Sequence, residues 1–279
     1  MPDVLGAPRW ARSGENENSP PADREAYGHY LAAAIRRYGP HGTFWKAHPE
    51  LPKMGIRDWQ IWNEPCLRYW WHVPKGSDWA KSYAKLLKVA YAAAKKADGD
   101  VRIVLGGLVG KSWQQLEHLY EVGHVRGHFD MAAVHPYTAA SHGPLKIVER
   151  FRKAMRRHGD GKRPLVISET TLPASRGRAN GDAAFQTDDA GMASFLKATY
   201  RDFTKNRNKL RIARVYWYTW SSSYQSSDPF AYAGLVRYRR KDDGEHIREM
   251  PALSVYRKLA LRAEGCRKDR EGRCAGPPP

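Results

Sequence analysis

The sequence has little cysteine, no long apolar run and a shortage of acid. Three cysteines in 279 residues are too few for a disulfide scaffold, so a packed core has to supply the stability. Cys66 stands alone. Cys266 and Cys274 sit in a polar tail, near enough in sequence to close a small loop and equally able to stay free thiols. Their spacing is not a four-ligand zinc pattern. No apolar run approaches the ~18 residues that a helical membrane span requires. The opening Met1-Pro2-Asp3 lacks the basic and apolar regions of a signal peptide. There is no G-x-G-x-x-G and no P-loop, since Gly106-Gly107 merely ends an apolar stretch. His118, His124 and His128 cluster loosely around Gly123 and Gly127, without the spacing of a helical metal pair. Neither a metal nor any other cofactor is expected.

The shortage of acid leaves 47 Lys and Arg against 29 Asp and Glu, a formal charge of +18. A nucleic-acid binder would gather such an excess into one arm or stripe. Here it is scattered in pairs (Arg36 and Arg37, Lys95 and Lys96, Arg156 and Arg157). That distribution fits a solvated basic surface, or attraction toward an acidic polysaccharide or cell wall. A nucleic-acid partner is not expected.

What is present is a repeated rhythm of short β-rich run, loop and longer amphipathic stretch. The expected strands are Val4–Ala7, Asp58–Asn63, Val101–Gly106, Phe129–Val134, Leu165–Ser168 and Ile212–Tyr218. The helices that follow them are Arg24–Tyr38, Trp79–Ala97, Trp113–Val122, Leu145–His158, Asp189–Asn206 and Ala252–Ala263. Such alternation predicts an α/β fold with parallel strands and helical crossovers. Ser77-Asp78 and Pro251 read as helix starts. One domain over 1–265 is expected, followed by a charged, Gly/Pro-rich, disordered tail over 266–279.

Polar chemistry collects where the expected strands end. These ends read Trp62-Asn63-Glu64-Pro65, His135-Pro136-Tyr137, Ser168-Glu169-Thr170 and Trp217-Tyr218-Thr219-Trp220. In a (β/α) barrel the active site lies at the carboxyl ends of the strands. Adjacent strand residues point to opposite faces, so Asn63 and Glu64 can share a site only where the strand stops or bulges. Pro65, which has no N–H to give to a ladder, supplies that stop. Leu165, Ile167 and Glu169 share a parity, which puts the carboxylate above two core aliphatics.

These motifs resemble those of the clan A glycoside hydrolases. Trp59-Gln60-Ile61-Trp62-Asn63-Glu64-Pro65 resembles the fourth-strand acid/base motif, and Ile167-Ser168-Glu169 the seventh-strand nucleophile motif. His135-Pro136-Tyr137 and the aromatic run at 216–220 resemble the sixth and eighth strands. The resemblance runs from about Val4 to Ala263 and is nearest to families 5 and 39, the cellulase-like and β-xylosidase-like barrels. It implies a (β/α)8 barrel of the TIM type and a cofactor-free retaining hydrolase acting on β-linked glycosides or polysaccharide, extracellular or at the cell wall. By that resemblance Glu64 is general acid and then base, and Glu169 is the nucleophile. Asn63 hydrogen-bonds the sugar 2-hydroxyl, His135 contacts the sugar, and Tyr137 holds Glu169. Trp217 or Trp220 stacks on the sugar, with Trp10, Trp70 and Trp71 as further platforms. One departure is Thr170-Thr171-Leu172 after Glu169, where the family often has glycine or an aromatic.

Six βα units can be counted where the barrel has eight. The segment Val4–Trp10 resembles the third strand, so the first two units, and the second-strand arginine of family 5, are expected to be absent. A sheet short of two strands leaves edges beside Val4–Ala7 and Ile212–Tyr218. Self-association through those edges is therefore expected. The other functional readings are a carbohydrate- or cell-wall-binding protein without turnover, and a glycosidase-like transglycosylase.

Overall fold

The computed structural model describes residues 1–241, 244–263, 265, 267–268 and 274–275. The chain packs into two compact units, one formed by 1–135, 147–168 and 210–214, the other by 136–146, 169–209 and 215–279.

The first unit is built on a six-stranded parallel sheet whose spatial order follows the chain: β1 (Asp3–Val4), β2 (Asp58–Asn63), β3 (Arg102–Leu108), β4 (Met131–Val134), β5 (Leu165–Ile167) and β6 (Ile212–Val215). Strictly sequential order is what repeated right-handed βα crossovers produce. Strands β2, β4 and β5 are buried along their whole length, as expected of a parallel sheet covered on both faces. The edges differ. Ala213 and Arg214 of β6 are exposed, as is Asp3 of β1, and among the described residues neither strand has a further neighbour. The sheet nevertheless curls strongly. Asp58 at the start of β2 is bonded by Arg102 Nε of β3 at 2.6 Å and by Arg214 Nε of β6 at 2.7 Å, although β6 lies four places away in the order.

The helices start where polar caps satisfy free N–H groups. Asp23 accepts from Glu25 and Ala26 at the head of α1 (Arg24–Tyr38). A short α2 (Thr43–Ala47) follows. Asp78 then accepts from Ala80 and Lys81 at the head of α3 (Trp79–Ala97). Helix α4 (Ser112–His118) continues as a turn of π-helix over Leu119–Gly123, and α5 (Gly143–Arg157) comes next. The basic pairs noted in the sequence occupy the last turns of α1, α3 and α5, where positive charge meets the negative end of the helix dipole. Arg152 of α5 is buried. It donates twice to Leu210 O and once each to the carbonyls of Gly161 and Arg163, tying the segments that lead into β5 and β6. Burial pushes its guanidinium down to about 10.

In the second unit α6 (Asp189–Lys205), capped by Asp188, packs on α8 (Pro251–Ala263), with the short α7 (Arg207–Leu210) between them in sequence. A small sheet of β7 (Ser221–Ser222), β8 (Val236–Lys241) and β9 (Gly244–Glu249) lies in the stretch before α8. Its core gathers Met192, Leu196, Trp217, Tyr232, Leu235 and Leu253. Two-residue strands at Arg267–Lys268 and Cys274–Ala275 pair antiparallel. The remainder of the 266–279 tail, and with it any bond between Cys266 and Cys274, lies outside the described residues.

Candidate active site

The residues that follow β2, β4 and β5 leave the parallel sheet from one edge. They are Glu64, His135 and Ser168, with Glu169 one position further on. At the end of β2 the backbone departs from regular strand geometry before Pro65 is reached. Trp62 has φ 67° and Glu64 φ 42°, both in the left-handed region that large L residues rarely occupy. Strain of that kind has to be held by its surroundings. The Trp62 indole N–H donates to Trp70 O at 2.6 Å, Glu64 N donates to Gly107 O at 3.1 Å, and Tyr83 Oη donates to Ile61 O at 2.7 Å.

Glu64 is buried, with 7% of its surface exposed. His135 is wholly buried, its Nδ1 2.8 Å from Glu64 Oε1 and its Nε2 3.0 Å from Ser168 Oγ. The ring is enclosed and both nitrogens are engaged by protein, so His135 is in contact with Glu64 and Ser168, where a sugar contact was expected of it. Room for the ring comes from β3, whose pairing with β4 shifts register between Leu105 and Leu108. A side chain at Gly107 would lie against His135 Nε2 and 2.6 Å from Cε1. Gly107→Ala is therefore expected to lose about 1–3 kcal/mol by overpacking, whereas Gly99→Ala, where a Cβ meets nothing within 4 Å, should stay within about 0.5 kcal/mol. Urea unfolding of the two variants measures the difference, and equal stabilities would contradict the packing described.

Asn63, next to Glu64, is 93% buried by its 7% exposure, and its Oδ1 has no protein partner. An acceptor left so costs about 1–3 kcal/mol, which a ligand hydroxyl donating to it would offset. Cys66, two residues past Glu64, is a free thiol. Burial foremost, with the charge of Glu64 adding to it, pushes this thiol up to about 11. At pH 8 it should alkylate about 100-fold more slowly than in the unfolded chain, because the thiolate is the reacting species. Iodoacetamide labelling followed by mass spectrometry checks this, and equal rates would contradict it.

In the second unit Tyr137 Oη donates to Glu169 Oε2 at 2.6 Å. Three further half-covered or exposed rings gather around Tyr137. Phe230 lies 5.3 Å from it, Phe185 5.9 Å, and Tyr218 sits edge-on to Phe230 at 5.7 Å. Phe185 and Phe230 were not expected from the sequence. Each sits in a short turn of 3₁₀ helix, Ala183–Phe185 and Pro229–Tyr232, and only the folded chain brings them beside Tyr137. Thr170 and Thr171, the departure after Glu169, are fully buried and their hydroxyls have no protein partner.

The tryptophans divide. Trp217 is buried in the core of the second unit, its indole N–H donating to Ala233 O at 3.0 Å, so it is not a stacking platform. Trp71 is likewise core, edge-on to Trp62 at 4.9 Å and to Tyr83 at 5.7 Å. Trp220 is 58% exposed and Trp10 87% exposed. Trp70 is half-buried, edge-on to the exposed Tyr69. These three keep an exposed face.

The parallel, sequentially ordered βα fold matches part of the (β/α) barrel of solved glycosidases. No protein-family model matches the chain, and no curated protein matches it. Among solved structures it is similar to a monomeric β-xylosidase from Caulobacter crescentus (TM-score 0.61, 16% identity), covering 92% of this chain and 52% of that one. It is similar also to a glycoside hydrolase family 53 catalytic domain from Ignisphaera aggregans (0.55, 20%; 93% and 71%) and to an α-L-arabinofuranosidase from Thermotoga maritima (0.56, 10%; 82% and 46%). The chain thus spans about half the length of the xylosidase and of the arabinofuranosidase.

Proposed function

We propose that this chain carries the catalytic strands of a retaining glycoside hydrolase, cleaving β-linked glycosides by double displacement. The reading rests above all on one observation: the two carboxyl groups are hydrogen-bonded by side chains of different chemistry, Glu64 by His135 and Glu169 by Tyr137. The chemistry asks one acid to carry a proton and the other to attack the anomeric carbon, and unlike partners are a means to divide those tasks. Glu64 protonates the glycosidic oxygen and later takes a proton from water, while Glu169 forms and releases the glycosyl ester. The orphaned Asn63 Oδ1 accepts from a sugar hydroxyl, and Tyr218, Trp220 and Trp10 offer rings to its apolar face. Polysaccharide as the substrate agrees with action outside the cell or at its wall. Among the described residues no helix is long and apolar enough to cross a membrane.

A panel of aryl glycosides tests this, with β-xyloside and α-L-arabinofuranoside chosen from the names of the similar structures and β-glucoside added as a hexoside. Release of the aryl alcohol by wild type and not by Glu169→Gln supports the reading. The exposed edges β1 and β6 favour a second reading, a carbohydrate-binding protein without turnover that pairs its edges with another copy. Saccharide binding with no turnover, together with concentration-dependent mass in light scattering, would establish that reading instead.

A further inference from the structure

We propose that the β8–β9 ribbon holds a binding site for an anionic sugar group, a carboxylate or sulfate ester on a polysaccharide. The choice of a saccharide carrier rests on the glycosidase reading; the anion site itself rests on the ribbon. In its antiparallel register Arg237 lies opposite Arg248 and Arg239 opposite His246. Side chains alternate along each strand, so these four share one face. Val236, Tyr238, Glu245, Ile247 and Glu249 take the other. Arg237 and Arg248 are like charges directly opposite one another, which destabilises a strand pair, and the ribbon's described acids, Glu245 and Glu249, have other partners. Glu245 accepts from Tyr238 Oη at 2.8 Å, and Glu249 pairs with Arg257 at 3.0 Å.

The four basic residues line a cleft of about 170 Å³, small beside the roughly 300–1,000 Å³ of whole-ligand pockets and suited to one charged group. The Nε atoms of Arg237 and Arg239 are buried without a protein partner. The Arg237 guanidinium lies over the Tyr224 ring at 5.3 Å, which fixes its plane. A buried N–H donor on a guanidinium plane set in advance, as at Arg237, takes a carboxylate or sulfate through paired hydrogen bonds. A nucleic acid is the less suited polyanion. Single strands need exposed rings for their bases, and the ring at this cleft, Tyr224, is buried beneath Arg237.

The test is calorimetric titration of the whole chain with oligogalacturonate, its methyl ester, a sulfated galactan oligosaccharide and a single-stranded DNA oligonucleotide. The expected result is binding of one or both acidic saccharides, at least about tenfold tighter than the neutral ester. Preference for galacturonate or for the sulfated galactan identifies which anion the cleft takes. Arg239→Gln/Arg248→Gln should lose that preference, as should the single Arg248→Gln, whose exposed side chain leaves the fold intact. The charge-matched Arg36→Gln/Arg37→Gln should keep it. Equal losses in the two double variants would mean diffuse charge and overturn the proposal, as would tighter binding of DNA than of either saccharide. If acidic saccharides bind at the ribbon and no aryl glycoside is cleaved, the glycosidase reading fails alone. If glycosides are cleaved with no acidic preference, the ribbon site fails alone.

Discussion

Glu169→Ala abolishes turnover, and added azide or formate restores part of it. The carboxylate is assigned the attack on the anomeric carbon, so its removal takes away the bond-forming partner and opens the space that a small anion fills. A fall of at least about 1,000-fold is expected, some 4 kcal/mol of transition-state stabilisation. The rescued reaction should yield a glycosyl azide of inverted configuration, because one displacement has replaced two. Retention of more than about a tenth of the activity, under ~1.4 kcal/mol, would remove Glu169 from the role. Tyr137→Phe should have a smaller effect, since it takes one hydrogen bond from Glu169 and leaves the nucleophile in place.

The second large effect belongs to Glu64→Gln, and it depends on the substrate. A proton donor matters where the leaving oxygen is basic, and general acid catalysis contributes about 100- to 10,000-fold. Disaccharides and alkyl glycosides should therefore lose at least about 100-fold, while a dinitrophenyl glycoside loses far less at the glycosylation step. His135 is bonded to Glu64 at 2.8 Å, so His135→Gln should shift activity in the same substrate-dependent direction by misplacing the acid. Equal losses on both kinds of substrate, measured as kcat/KM, would count against the acid role.

Much of this was legible in the residues, unevenly. Helices α1 and α3 and strand β2 have the bounds read from the sequence, because capping aspartates and Pro65 mark their ends. The β8–β9 ribbon was not read as strand. Val236–Lys241 and Gly244–Glu249 are crowded with charge, and the period-two apolar alternation that signals a strand is missing. The first and last sheet strands are also shorter than expected, Asp3–Val4 for Val4–Ala7 and Ile212–Val215 for Ile212–Tyr218, both at the edges where pairing is least constrained. At the site, Asn63-Glu64-Pro65 announced a strand end, but the turn begins at Trp62, a residue type for which positive φ is rare. Trp217 and Trp71 could not be told from ligand platforms, since indoles serve both cores and sugars. His135 read as a contact residue because the space that buries it comes from Gly107, twenty-eight positions earlier, and only the folded register brings the two together.

The central claim, that Glu169 forms a covalent ester with the sugar, is tested most directly by trapping it. Incubation with dinitrophenyl 2-deoxy-2-fluoro-β-xyloside and the corresponding β-glucoside, followed by intact-mass and peptide mass spectrometry, reads the outcome. The account predicts one glycosyl adduct per chain, located on the peptide containing Glu169 and absent from Glu169→Gln. An adduct on another residue, or turnover of an ordinary aryl β-glycoside with the first-formed sugar in the α configuration by proton NMR, would contradict it.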